Sequence, residues 1–453
     1  MEVEMNFFKR VMNIFSLKNS LSALGIEAKL SEQMSAALSE WDRLYREKDG
    51  LSLASAIASE TARLTTIEFK SEISGSGRAA FLEKQYKDFI ANIRNITELA
   101  CAKGGVVLKP YMADGSIKVS CIQAENFIPT EFNSSGDIVG AAFLDRHFSG
   151  GKVYTRIEQH GFDGDAYIIR NFAFVGDNAS SLGRAVSLQD VPAWRDIEPY
   201  VAMAGIKKPL FVYFKMPMAN CIDTNSPLGV SVFARVASLI GDAEAQYKRL
   251  LWEFESGERA LYVDEAAMHR DSSGECVVPD RRLYRLLNSG DDTLFEDWTP
   301  TLRDESIING LNEILRRIEF NSGLAYGTLS NVLNIDRTAE EIRVSKQRSY
   351  AHVCDIQDAL RTALTALVDA MNTITDLYCL AEDGQYGISF EFDDSIVADR
   401  KTEFEEKLRL CQEGIIEPWE VRAWYFGEDE ETAKKRSCMS AHAPQKENAG
   451  GKV

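Results

Sequence analysis

The sequence predicts an α+β protein. Three observations predict it: helical periodicity fills residues 31 to 98, short β-rich runs divided by turn residues fill 104 to 175, and long helical stretches dominate from Pro227 to Tyr378. At 453 residues the chain exceeds one small core and should divide into two to four modules.

The helical opening places Met34, Leu38, Trp41 and Leu44, then Leu53, Ile57, Thr61 and Leu64, then Phe81, Tyr86, Phe89, Ile90 and Ile93 at helical spacing. From Gly104 the pattern changes to GVVLKPYM, GSIKVSCI, FIPTEFN, DIVGAAFLDRHF, KVYTRIEQHGF and AYIIRNFAFV, which an antiparallel meander accounts for most simply. GDNASSLGRA loosens the chain before a short strand at Leu210 to Lys215. Pro227 reads as a helix-initiating residue, and an apolar stripe from Val230 through Phe233, Val236, Ile240, Tyr247 and Phe254 predicts a first long helix of some 28 residues, roughly 40 Å. The insert 259–303 holds β-like RALYV, a DSSGE turn, three arginines and an acidic loop, and its place between two helices that can return antiparallel makes it a tip. A second helix follows over 304–322, with Asp304 as its N-cap and Ile307, Leu311, Ile314 and Ile318 on one face. NSGLAYGTLSNVLNID, with two glycines and small polar residues, predicts a loop that can move. A third helix over 338–378 advances through Val353, Ile356, Leu360, Leu364, Leu367, Met371 and Ile374 for roughly 60 Å. The closing module, 379–436, contains a strand at GISFEF, a helix from Ile396 to Gln412 and a short helix from Pro418 to Phe426. Residues beyond Glu428 are charged and then polar, which predicts disorder there and in the tail 437–453.

Composition excludes several function classes. A net charge of −18 argues against a protein that grips nucleic acid, because neutralising phosphates takes clustered Lys and Arg, but it suits a surface that lets a polyanion slide past. Solubility alone is the plainer account of the same charge. Eight dispersed cysteines without a CxxC pair, and no signal peptide, predict a reduced cytosolic setting. The five histidines never fall at zinc-ligand spacing, and no apolar run approaches the ~18 residues of a membrane helix. The start, MEVEMNFFKRVMNIF, reads as an ordinary N-terminal helix rather than a targeting segment.

No motif points to catalysis. GSGRAA at Gly75 to Ala80 has the GxGxxA spacing of a dinucleotide fingerprint, but it is flanked by helix with no preceding buried strand and no βαβ unit, so it reads as an interhelical loop. No Walker A, HExxH or GxSxG sequence occurs. Acidic pairs Asp393 with Asp394, and Asp291 with Asp292, read as solvated turns. Arg281, Arg282 and Arg285 are the best candidates for contact with an acidic partner, against a plainer reading as a solvated helical face.

The segment PLFVYFKMPMANCIDTNSPLGVSVFARVASLIGDAEAQYKRLLWEFESGERALYV, from Pro209 to Val263, resembles portal proteins of long-tailed phages (siphophages). TAEEIRVSKQRSYAHVCDIQ at Thr338 to Gln357 and FEFDDSIVADRKTEFEEKLRLCQEGIIEPWEVR near the C-terminus are similar to the corresponding parts of that family, in the same order along nearly the whole chain.

The resemblance implies a portal-protein fold with a wing at 1–226, stem helices at 227–258 and 304–322, a clip at 259–303, a tunnel loop at 323–337, a long helix at 338–378 and a mostly helical crown at 379–436. It implies a ring homo-oligomer, a dodecamer, at one capsid vertex, through which double-stranded DNA is packaged and ejected. The implied partners are the terminase large subunit, which carries the ATPase, a head-tail adaptor, and the major capsid and scaffolding proteins. No membrane, cofactor, metal or catalytic site is implied, and the location is the virion after assembly in the host cytoplasm. Carried onto this sequence, the tunnel-loop candidates are Gly323, Tyr326, Gly327, Thr328, Ser330, Asn331 and Asn334. Stem channel candidates are Lys248, Arg249, Glu253, Arg316 and Arg317. Clip docking candidates are Arg281, Arg282, Arg285, Asp291, Asp292 and Trp298. The alternatives are a head-assembly or adaptor protein without a channel, and a nucleotide- or metal-dependent DNA enzyme.

Overall fold

A computed structural model describes residues 21–178, 182–264, 269–270, 272, 277, 284–287, 295–331, 339–392, 400–426, 430 and 432–435. The chain is α+β and divides into two units, Met1–Glu391 and Phe392–Val453.

Near the start of the described residues the first unit contains α1 (Glu32–Arg46), α2 (Leu53–Thr65), α3 (Gly77–Ile90) and α4 (Ile93–Lys103). Ser31 caps α1 by accepting from the Met34 N–H at 3.3 Å, and Met34, Leu38, Trp41 and Leu44 bury one stripe of the helix, as their spacing predicts. Lys103 at the end of α4 is 2% exposed and sits between Asp42, at 2.7 Å, and Glu125. That pairing is what allows an ammonium group into the core.

A strand interrupts the helical layer where none is predicted: β1 (Lys70–Gly75) pairs antiparallel with β14 (Tyr386–Glu391). GSGRAA therefore does follow a strand. Only Ile73 of that strand is buried, however, and the ribbon has two antiparallel strands, so no βαβ unit exists around it. The Gln385 carbonyl fills the glycine turn, accepting from the Ser76 N–H at 3.0 Å and Oγ at 2.8 Å, and a Cβ at Gly75 would lie 2.6 Å from it. Phosphate has no room where that carbonyl stands.

The β-rich region forms β2 (Gly105–Ala113), β3 (Ser116–Gln123), β4 (Phe127–Phe132), β5 (Ile138–Ser149), β6 (Lys152–Asp163), β7 (Ala166–Gly176), β8 (Arg184–Val186), β9 (Tyr200–Ala204) and β10 (Val212–Lys215). All pairings among them are antiparallel, but the strands fall into two sheets rather than one meander. One sheet runs β10-β2-β3 and the other β4-β5-β6-β7-β8, with β9 also on β7. The break lies at the 3-10 turn Ala124–Asn126, which buries Ala124 and ends the pairing of β3 before β4 begins.

The first long helix, α5, spans Ala237–Ser256, 20 residues or roughly 30 Å, so it does not start at Pro227. Leu228, Val230, Val232 and Phe233 are buried, but in a non-helical strap: Ser231 Oγ and the Val232 N–H both donate to the Cys101 carbonyl. Gly229 lies so close to Gly104 that a Cβ on either would overlap the other's backbone. The apolar spacing that predicts a helix here is satisfied by tertiary packing against α4.

The insert supplies β11 (Ala260–Asp264), β12 (Tyr284–Leu287) and β13 (Phe295–Trp298) in the order β12-β11-β13, parallel on one side of β11 and antiparallel on the other. The DSSGE turn lies outside the described residues save for Ser272. After it come α6 (Asp304–Ser322) and α7 (Ala339–Leu377), the latter of 39 residues or about 58 Å. Asp304 is the first residue of α6 and not its cap; Arg303 holds the cap position, and Asp304 sits in the first turn where a carboxylate favours the helix dipole. Among the described residues no helix is long and apolar enough to cross a membrane.

The second unit pairs α8 (Arg400–Gln412) with α9 (Pro418–Phe426), and Lys407 stands over the Trp424 ring at 5.3 Å. Glu430 and 432–435 are helical, Ala433 is fully buried and Lys434 lies 4.4 Å from the Trp419 ring, so order extends past Glu428 where disorder is predicted. Residues 396–399, Asp393, Asp394 and the tail 437–453 lie outside the described residues.

Candidate functional site

The strut formed by α5, the β11–β13 tip and α6 gathers most of the candidate residues. Its helices run antiparallel: Glu253 near the end of α5 meets Arg303 at the start of α6, and Gln246 one stretch back donates to the Ile307 carbonyl. Glu253 is 6% exposed and accepts from the Arg303 N–H at 2.9 Å, Nε at 3.1 Å and Nη2 at 2.7 Å. Those bonds hold its carboxyl below the ordinary value and satisfy the first free N–H before α6. Glu253 thus closes the base of the tip, with both its oxygens bonded to Arg303.

The other stem candidates are distributed differently. Lys248 and Arg249 are exposed, with Arg249 donating to Gln246 at 3.3 Å. Arg317 is exposed and Arg316 largely covered, and both pair with Glu313, at 3.4 and 3.5 Å. Exposed beside them on the two helices are Leu251, Trp252, Phe254, Ile308 and Phe320. Phe254 belongs to a predicted stripe, while Trp252 and Phe320 do not. Among the described residues each of the five keeps more than 40% of its surface exposed, Phe320 with Arg348 over its ring.

After α6 the chain turns back on the helix it has just left. Gly323 ends α6 in the left-handed region, φ +78, with the His352 ring 2.9 Å from where a Cβ would sit. Burial lowers the His352 pKa, Asp355 opposes that and Arg235 reinforces it. Leu324 is buried, and the Tyr326 N–H donates to Ser345 Oγ at 2.8 Å. Thr328 Oγ1 donates to the Ala325 carbonyl at 2.6 Å, while Gly327 is exposed at φ +87. Glu319, with no exposed surface, accepts from the Leu329 N–H at 2.6 Å, the Ser330 N–H at 2.8 Å and Ser330 Oγ at 2.8 Å. One residue on, the Asn331 N–H donates to Asn312 Oδ1 at 2.7 Å and Asn312 Nδ2 returns a bond to the Asn331 carbonyl at 3.3 Å. Arg348 of α7 covers this turn, 4.2 Å from the Phe320 ring and 5.5 Å from that of Tyr326.

Residues 323–331 are therefore a turn fastened by side chains of α6 and α7. Glycine content predicts freedom, but the backbone N–H groups find a buried carboxylate and a carboxamide to hold them. Asn334 lies outside the described residues. The residues that do the fastening, Asn312, Glu319, Ser345 and Arg348, are absent from the sequence candidates. Asn312 and Glu319 stand seven apart beside Leu311 and Ile318, and polar residues inside an apolar stripe are the signal that could have found them.

At the tip, Arg285 is in β12 opposite Tyr262 and Trp298 is in β13 opposite Ala260. Arg285 is on a strand and not a helical face. Arg281, Arg282, Asp291 and Asp292 lie outside the described residues.

No protein-family model matches the chain, and no curated protein matches it.

Proposed function

We propose that the chain is the protomer of a portal ring: a conduit at a capsid vertex through which double-stranded DNA is packaged and ejected, and not an enzyme. One observation carries the proposal. An antiparallel strut of two long helices bears a small β tip at one end and a returned turn at the other, and its flanks expose Leu251, Trp252, Phe254, Ile308 and Phe320. Helices with uncovered apolar flanks want neighbours, and a ring of identical copies supplies them on both sides. The acidic balance supports passage of DNA without capture. In this proposal the β11–β13 tip docks terminase and then the head-tail adaptor, and the turn after α6 sits nearest the moving duplex.

Electron microscopy and sedimentation of the purified chain test it. Rings with a central channel wide enough for duplex, roughly 20 Å or more, are the expected outcome. A strictly monomeric protein at high concentration overturns it, and a closed oligomer without a channel favours a head-assembly or adaptor protein instead.

A further inference from the structure

We propose that the open edge of β5, beyond its pairing with β4, takes up an extended acidic segment of a partner protein as an added strand, with a carboxylate of that segment on Arg146.

Strand β5 outruns its neighbour on one side. β4 pairs with it only as far as Phe143, while β6 follows it to Ser149. Across the Gly150-Gly151 turn Ser149 and Lys152 form the closing hydrogen-bonded pair, so bonding to β6 alternates back through His147 and Asp145. Arg146 and Phe148 therefore direct their main-chain N–H and C=O groups away from β6, and among the described residues nothing bonds to those groups. An edge left in this state is a template for another strand.

A groove of about 550 Å³ lies against that edge. Leu144, Asp145, Arg146 and His147 all line it, and because consecutive residues point to opposite faces, a groove that meets all four runs along the edge itself. Tyr111 of β2 and Ser120 and Ile122 of β3 form the far wall. Four residues of strand span roughly 13 Å, so the groove receives an extended segment lengthwise.

Charge selects the occupant once the pairs inside the groove are set aside. Glu158 is taken by Lys109 at 2.7 Å, Arg156 at 3.2 Å and His160 at 2.7 Å, and Asp145 by the Trp194 indole at 3.1 Å and Arg156 at 3.5 Å. Arg146 has no partner among the described residues, and although part of it stays in solvent, burial lowers its pKa. A carboxylate opposite Arg146 offsets that burial and makes a charge-assisted bond. The next side chain on the same face of β5 is Phe148, 68% exposed, so an apolar residue two positions from the acid covers it. Asp145 and His147 occupy the other face, where a second acid would meet Asp145. The segment that fits therefore carries an acid and an apolar residue on one face, with neutral polar residues between them.

The test is fluorescence anisotropy of labelled Val-Thr-Glu-Thr-Val and Val-Thr-Lys-Thr-Val peptides, whose patterns read alike in either strand direction, titrated with the full chain. The Glu peptide should bind saturably and at least about tenfold more tightly than the Lys peptide, the worth of one charge-assisted bond. Arg146→Glu should reverse that preference, which a merely structural arginine would not do. Phe148→Pro removes an N–H that points away from β6, so the variant should keep the thermal midpoint of the parent and bind neither peptide. If the proline variant fails to fold, the charge reversal at Arg146 decides alone. No binding of the Glu peptide up to about 1 mM, or a preference that Arg146→Glu leaves unchanged, overturns the proposal. Self-association of the parent that the Glu peptide competes away places a second copy on the edge, and overturns the choice of partner.

Discussion

Glu319 shows how much one side chain decides. Its carboxylate is wholly buried and accepts three hydrogen bonds from the turn that follows its own helix. Glu319→Ala leaves two backbone N–H groups and a hydroxyl without an acceptor, and urea unfolding should show a loss of about 3 kcal/mol. A second residue prediction concerns pH. His160 is buried, with Nε2 2.7 Å from Glu158 and Nδ1 2.8 Å from the Tyr167 hydroxyl. That hydroxyl accepts the Leu210 N–H and is placed to donate its own proton to Nδ1, with Nε2 left to face the Glu158 carboxylate. Burial pushes the His160 pKa down against the pull of Glu158. Burial alone would raise the Glu158 carboxyl, but Lys109, then His160 and Arg156, outweigh it and hold it well below the usual range. Both folded values lie below the unfolded ones, so both groups contribute stability that is lost on acidification: His160 as pH falls below about 6.5, Glu158 below about 4.5. His160→Gln should flatten the stability profile between about pH 5 and 6.5. An unchanged slope there would place the titrating group elsewhere.

Among the elements, the turn after α6 departs furthest from its sequence. Deleting Gly327 to Asn334 would remove a loop and spare the fold if those residues hung free, but Leu329, Ser330 and Asn331 are the partners of Glu319 and Asn312. The deletion should therefore lower the thermal midpoint by several degrees and reduce soluble oligomer, as a calorimetric scan would record. A deletion variant as stable as its parent would show that the turn contributes nothing to the fold. The same segment explains where legibility ends. Helix α7 and most strands are plain in the chain because their apolar periods are long or strictly alternating. The strap at 228–233 mimics a helical period, and β1 offers one buried residue in six, Ile73, against a partner more than 300 positions away. A window of neighbours carries no trace of such partners.

For the whole molecule, the α+β class and the order of most helices and strands are legible, because each region declares its period over tens of residues. The strut's candidate residues are legible only as exposed charges; which carboxylate is buried depends on a turn doubling back, and no wheel diagram contains that. Charge gives the prediction at this scale. With a net −18, the purified chain at physiological salt should not retard linear duplex DNA at micromolar concentration, as the proposed passage of DNA without capture requires. Submicromolar binding in a mobility-shift assay would contradict passage without capture.

The ribbon of β1 and β14 also sets a clock. Ser76 waits for Gln385, 309 residues later, and the buried Arg78 for Asn372, Asp376 and the Ala381 carbonyl. At 5–20 residues per second that interval is roughly 15–60 s of synthesis, during which the Arg78 guanidinium lacks the partners it has in the folded chain. The contacts of Ser76 and Arg78 can therefore form only after α7 and the strand that follows it have been synthesised.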